Sequence, residues 1–213
     1  MNAAREMGAF ERAARGRGRR FIAGIDEAGR GPLAGPVIAA AVILPPDYEY
    51  PGIDDSKKLS SRQRERLYEV IERDAVAIGI GVVEAPVIDA VNILQATLVA
   101  MKEAVLNLSP PPDYLLIDGL NRISVAIPQE TIVRGDGRSI SVASASIVAK
   151  VSRDRIMEMY HRQFPQYNFL RNKGYGTQEH RDAILKYGRC KLHRSSFRLA
   201  EIDDLQTSIP LGF

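Results

Sequence analysis

The sequence predicts an α/β fold, a mixed sheet flanked by helices with a helical extension at the C-terminal end, and three observations carry that expectation. Short runs rich in Val, Ile and Ala alternate with longer stretches of helical period. Three strand-like runs come early with one helix among them, and further strand and helix units follow, so the sheet should be mixed rather than purely parallel. The basic residues of the last third fall mostly on helices after the sheet.

Each element has a local reason. Phe21 to Ile25 and Val37 to Leu44 read as apolar strands, separated by a glycine-rich turn and closed by Pro45-Pro46. Ser60 or Ser61 caps a helix to about Asp74, with Leu67, Val70 and Ile71 as a narrow apolar stripe among charges. Ala75 to Val83 is a third strand. A single helix then runs from near Pro86 to about Leu108, where "SPPPD" stops it. Tyr114 to Ile117 is a short buried strand ending in Asp118-Gly119, and Glu130 to Val133 another that ends near Asp136. A long helix from Ser141 to about Phe164, an irregular stretch to Gly176 and a helix from Thr177 to about Tyr187 complete the chain.

With 213 residues, 45% of them hydrophobic, the chain can bury a substantial core without staples. One cysteine, Cys190, excludes an internal disulfide and has no evident activating partner. The first 20 residues are arginine-studded rather than apolar, so a reducing cytoplasm is expected. The longest apolar run, Val37 to Leu44, is far too short to span a bilayer. No internal repeat is visible. Residues 1–20 read as a basic arm, 21–200 as one domain that includes the C-terminal helical portion, and 201–213 as a flexible tail.

Charge is distributed unevenly. Residues 21–149 hold 11 basic and 17 acidic side chains, whereas residues 150–200 hold 12 basic and 4 acidic ones. An acidic body thus meets a basic third, which fits either a solvated surface or a cationic groove for a polyanion.

Acids stand where strands are expected to end: Asp26 and Glu27 after the first strand, Asp118 after "YLLI", Asp136 after "TIVRG". Singly, each reads as a turn-former or cap. Together, such carboxylates would repel and take up protons unless a cation intervened, and an all-oxygen site suits magnesium or manganese. Scattered histidines at 161, 180 and 193 argue against zinc. Two ions bridged by a scissile phosphate would activate a water on one side and stabilise the departing oxygen on the other. Because alternation sends Asp26 and Glu27 to opposite faces, the first strand is expected to lose regularity at its end, near Gly29.

"GIDEAGRGPLAGPV" closely resembles the opening motif of ribonuclease HII, the type 2 ribonuclease H. The likeness extends through "DSKKLS", "LLIDG", "GDGRSISVASASIVAKVSRD", "NKGYGTQEH" and "HRSSF", over about residues 21–197. The resemblance implies a ribonuclease H-like fold with a mixed five-stranded sheet, and a four-carboxylate site at Asp26, Glu27, Asp118 and Asp136 holding two Mg2+ or Mn2+ ions. It implies that Gly29, Arg30 and Gly31 contact the nucleotide and sense the ribose 2′-hydroxyl, and that Tyr175 packs on the following deoxyribose. Lys57, Lys58, Lys150, Arg153 and Lys173 are candidate phosphate contacts. Asp154 reads as a helix-surface partner for neighbouring arginines, and the small residues of "SVASASIVAK" as a packing surface. His180 would either assist the leaving group or merely pack.

The activity so implied is endonucleolytic cleavage of the RNA strand of RNA/DNA hybrids, and of duplex DNA 5′ of a single embedded ribonucleotide, by a monomer with no membrane association. Products would carry 3′-hydroxyl and 5′-phosphate ends. A DNA-directed nuclease on the same fold is the competing enzyme, disfavoured by the Gly29-Arg30-Gly31 turn and Tyr175. A binding module whose acids are only caps is the competing non-enzyme, and it predicts metal-independent binding without turnover. In the tail, "QTSIPL" resembles the peptide with which replication and repair proteins bind a sliding clamp, its anchors being Gln206, Ile209 and Leu211.

Overall fold

The computed structural model describes residues 7–50, 52–53 and 59–199. Lys57, Lys58 and the tail anchors Gln206, Ile209 and Leu211 lie outside these described residues. Five strands, β1 (Ile22–Ala28), β2 (Val37–Ile43), β3 (Ala77–Val83), β4 (Tyr114–Asp118) and β5 (Gln129–Ile132), form one sheet in the order β3-β2-β1-β4-β5. The first three pair antiparallel, while β4 and β5 run parallel to β1, so the sheet is mixed as expected.

Helix α1 (Ala9–Gly16) precedes the sheet, α2 (Ser61–Asp74) follows β2, and α3 (Ala85–Val91) and α4 (Ile93–Leu106) follow β3. Ser60 caps α2 with a full capping box: its hydroxyl accepts from the Gln63 N–H, and the Gln63 side chain accepts from the Ser60 N–H. The single helix expected from Pro86 to Leu108 is instead two. Asn92 adopts φ +71°, and its side-chain oxygen accepts from the N–H groups of Leu94 and Gln95, starting α4 afresh. The basic arm expected over residues 1–20 contains α1, whose Ala14 packs with Ile22, Leu116 and Val142.

After β5 come a 3-10 turn (Gly135–Gly137), the long α5 (Ile140–Gln163), the short α6 (Phe169–Asn172) and α7 (Gln178–Tyr187). Period-2 alternation divides the sheet between two cores. Ala23, Ile25, Ala39, Ala41, Leu115 and Ile117 face α4, whereas Ala40 and Val42 face α2 and α5. Because every residue of α5 from Ile140 to Ala149 is buried, this helix lies directly on the sheet. A third cluster, with Met157, Tyr167, Phe169 and Ile184, binds the C-terminal helices to the end of α5. No helix among the described residues is long and apolar enough to cross a membrane.

Candidate active site

β1 remains paired with β2 through Glu27↔Ala39 and Ala28↔Ile38, but its pairing with β4 stops at Ile25↔Ile117. The expected loss of regularity is therefore absent, and Asp26 and Glu27 lie within a regular strand. Past Ile25 the β4 side of β1 has no strand partner, and there both acids meet Asp118, the last residue of β4. One oxygen from each of the three lies within 4.8 Å of the others. Asp26 is buried and Glu27 partly so.

Burial raises the Asp26 pKa well above the carboxylate range, and the charges of Glu27 and Asp118 add to it; hydrogen bonds from Ser146 and from the Glu27 N–H, the latter 2.7 Å to Oδ1, oppose the shift. Burial also raises Glu27, against the attraction of the Arg30 guanidinium at 3.2 Å. A cluster that resists full ionisation is one a divalent cation would relieve. Its all-oxygen donors match magnesium or manganese.

Asp136 is not one of the three converging acids. It is buried in the 3-10 turn, where the N–H of the preceding Gly135 donates to Asp118 Oδ1 at 2.7 Å. The four expected acids are thus three at the sheet and one on a turn tied to them.

Gly29, Arg30, Gly31, Lys150 and Tyr175 line the same cleft of about 250 Å3 as the acids. Tyr175 is 46% exposed, and a Cβ placed on Gly31 would lie 3.9 Å from its ring. Gly29, at φ +96°, admits no side chain: a Cβ would come within 2.1 Å of Arg153 Nε.

Arg153, expected to contact phosphate, is 1% exposed and does something else. Its nitrogens donate to the carbonyls of Pro36, Lys173 and Ala34 at 3.0, 2.9 and 3.1 Å. Arg194, within "HRSSF", acts alike on Gly29 at 2.6 Å, Arg30 at 2.9 Å and Gly35 at 2.8 Å. These two buried guanidiniums hold the Gly29-Arg30-Gly31 turn and the Tyr175 loop as one body. Burial lowers both, Arg153 to about 10 and Arg194 to about 9, leaving them charged at neutral pH.

Asp154 pairs with Lys150 at 2.7 Å rather than with an arginine. Lys173 Nζ reaches the Asp154 carbonyl at 3.4 Å, in a groove continuing toward Arg64 and Arg155. His180 is fully buried, which leaves packing as its role rather than leaving-group chemistry. The Cys190 N–H donates to His193 Nδ1 at 2.9 Å, so His193 carries its proton on Nε2, which donates to His180 Nε2 at 3.1 Å. His180 Nδ1 then donates to the Tyr175 carbonyl at 2.9 Å. Two residues went unassigned in the sequence, Arg64, which lines the cleft from α2, and Arg194, while Ser146 was read only as part of a packing surface. Ser146, Lys150 and Asp154 recur every four residues on one helix face, a signal that was available.

The ribonuclease HII family model matches residues 23–200. Ribonuclease HII of Syntrophus aciditrophicus is 70% identical over 190 residues, covering 89% of this chain and 90% of that one. Among solved structures, ribonuclease H2 from Pyrococcus horikoshii superposes with a TM-score of 0.74 at 22% identity, over 89% of this chain and all of that one. The structure of the PCNA:RNase HII complex from Archaeoglobus fulgidus does so at 0.71 and 25%, over 87% and 100%. With the acid cluster, the cleft and the likeness extending over the same residues, this chain belongs to the ribonuclease HII family and is a metal-dependent endoribonuclease of RNA/DNA hybrids.

Proposed function

We propose that the enzyme also cuts duplex DNA on the 5′ side of a single embedded ribonucleotide, leaving 3′-hydroxyl and 5′-phosphate ends. The observation that carries this is the convergence, in one cleft, of three carboxylates with the Gly29-Arg30-Gly31 turn and Tyr175. Asp26, Glu27 and Asp118, with Asp136 on the adjoining turn, would hold two Mg2+ or Mn2+ ions, which when bound supply an activated water and neutralise charge on the phosphate.

The chain's own residues do the selecting. The glycine-flanked turn lets backbone approach the ribose, and its fixed placement by Arg194 keeps the 2′-hydroxyl contact in register with the acids. Tyr175 offers its exposed ring to the sugar that follows. Arg30, paired with Glu27 on the half-exposed rim, is placed to turn toward the phosphate. Lys150, Lys173 and Arg64 would hold the duplex backbone, joined by Lys57 and Lys58.

The Archaeoglobus relative was solved as a complex with PCNA, and this supports reading the tail of the present chain, with Gln206, Ile209 and Leu211, as a clamp-binding peptide. We take the catalytic unit, residues 21–200, to act as a monomer.

The test is an end-labelled duplex with one ribonucleotide, incubated with Mg2+, Mn2+ or chelator beside an all-DNA control. Cleavage just 5′ of the ribonucleotide, lost with chelator and with Asp118→Asn while the control stays whole, is the expected result. Equal cleavage of the all-DNA duplex would remove the sugar-reading role from Arg30.

A further inference from the structure

We infer that Glu11, on the N-terminal helix α1, is a positioning residue for the acid cluster. The inference rests on reading that cluster as the metal site. Glu11 lies outside residues 23–200, the span the family model covers, and it is 128 residues from its nearest partner. It is nevertheless 96% buried, with an exposure of 4%.

Its Oε1 atom accepts from Ser139 Oγ at 2.6 Å, from the Ser141 N–H at 3.0 Å and from Ser141 Oγ. Ser139 is the N-cap of α5: its hydroxyl accepts from the Val142 N–H at 3.3 Å. The Ser139 N–H in turn donates to the Gly135 carbonyl at 2.8 Å, and the Gly135 N–H donates to Asp118 Oδ1 at 2.7 Å. A path of three hydrogen bonds, passing through Ser139 and Gly135, therefore leads from Glu11 to a cluster acid. Asp136 sits inside the loop that this path closes, between Gly135 and Ser139. On the same face of contact, the Arg138 guanidinium lies 5.2 Å from the Phe10 ring centroid.

Two physical reasons make a carboxylate apt here. A negative charge at the start of a 24-residue helix meets the positive end of its dipole. A carboxylate oxygen also accepts several donors at once, and so fixes Ser139 and Ser141 together where a hydroxyl or amide would fix fewer. Among the described residues the other oxygen, Oε2, is buried with no hydrogen-bond partner. That arrangement costs stability, and an apolar residue packed there would avoid it. The observations fit a group retained to fix the turn.

The experiment measures Mn2+ binding without substrate, from the paramagnetic resonance signal of the free ion, using the full chain and its variants. Glu11→Ala should weaken binding about tenfold or more, the usual size for residues that orient metal ligands. Ser139→Ala should weaken it in the same direction, and the double variant should lose less than the two effects combined. Glu11→Gln, which keeps an acceptor oxygen but loses the charge, should recover only part of the affinity. KM for a hybrid at saturating metal should stay unchanged. Wild-type Mn2+ affinity in a folded Glu11→Ala protein overturns the proposal; if circular dichroism shows that this variant does not fold, wild-type affinity in Ser139→Ala overturns it instead. Asp118→Asn separates the two readings: if it too binds Mn2+ as the wild type does, the metal-site reading itself has failed.

Discussion

At the scale of single residues, the fold places ionisable groups where water cannot reach them and uses hydrogen bonds to decide their state. The His180–His193 pair is the clearest case. Burial lowers both rings, and His193, further lowered by His180 and Arg189, falls to about 4. Both are neutral in the fold, and their tautomers are set by the Cys190 N–H at one end and the Tyr175 carbonyl at the other. The unfolded chain takes up these protons near pH 6.5, above the folded value, so their contribution to stability is complete above about 6.5 and is lost as pH falls toward about 4. The urea midpoint should therefore decline across that window, and His193→Asn should flatten the decline while lowering stability at pH 7. An unaltered slope in the variant would place the titration elsewhere. Asp26 and Glu27 act with the opposite sign: their raised pKa values mean that the cation-free site loses stability as pH rises through them.

At the scale of elements, close approach of helix to strand decides what the site can reach. A Cβ on Gly24 would lie 2.1 Å from the Ser141 carbonyl carbon, so the absence of a side chain is what seats α5 on β1. Two residues along β1 comes Asp26, and farther along α5 comes Ser146, which hydrogen-bonds to it. Gly81 on β3 meets α4 equally closely, with a Cβ 2.0 Å from the Ala100 carbonyl oxygen, but on the face away from α5. Gly24→Ala and Gly81→Ala should each cost about 1–3 kcal/mol by overpacking. Only Gly24→Ala should also lower kcat at temperatures where both proteins are folded, because it lifts α5 from Asp26. Thermal unfolding with single-turnover cleavage separates the two effects. The break at Asn92 belongs to this scale too. The apolar pattern is continuous across it, and only a side chain that caps the next turn while its backbone takes φ +71° makes two helices of one.

At the scale of the whole molecule, Lys150 and Arg153 of the basic C-terminal third line one cleft with Asp26, Glu27 and Asp118 of the sheet. Deleting residues 205–213 should abolish binding to a sliding clamp in a titration while leaving cleavage of a short hybrid unchanged; unaltered clamp binding would remove the tail's proposed role. The sequence by itself determined the mixed α/β architecture, because strand and helix periods and their stops are local properties of adjacent residues. It also marked Asp26, Glu27, Asp118 and Asp136, since acids beside short apolar strands are visible without coordinates. Tertiary structure alone decided that Asp26 and Glu27 meet without any break in β1, since this depends on where the neighbouring strand stops. It turned Arg153 from a surface charge into a buried clamp beside Arg194, because both guanidiniums donate to carbonyls of a segment more than 100 residues distant. It also brought Glu11, one acid in an arginine-rich stretch, to the start of a helix that begins at residue 140 and is capped by Ser139. Each of these outcomes is a long-range juxtaposition, and the periodicity of a chain carries information only about neighbours along it.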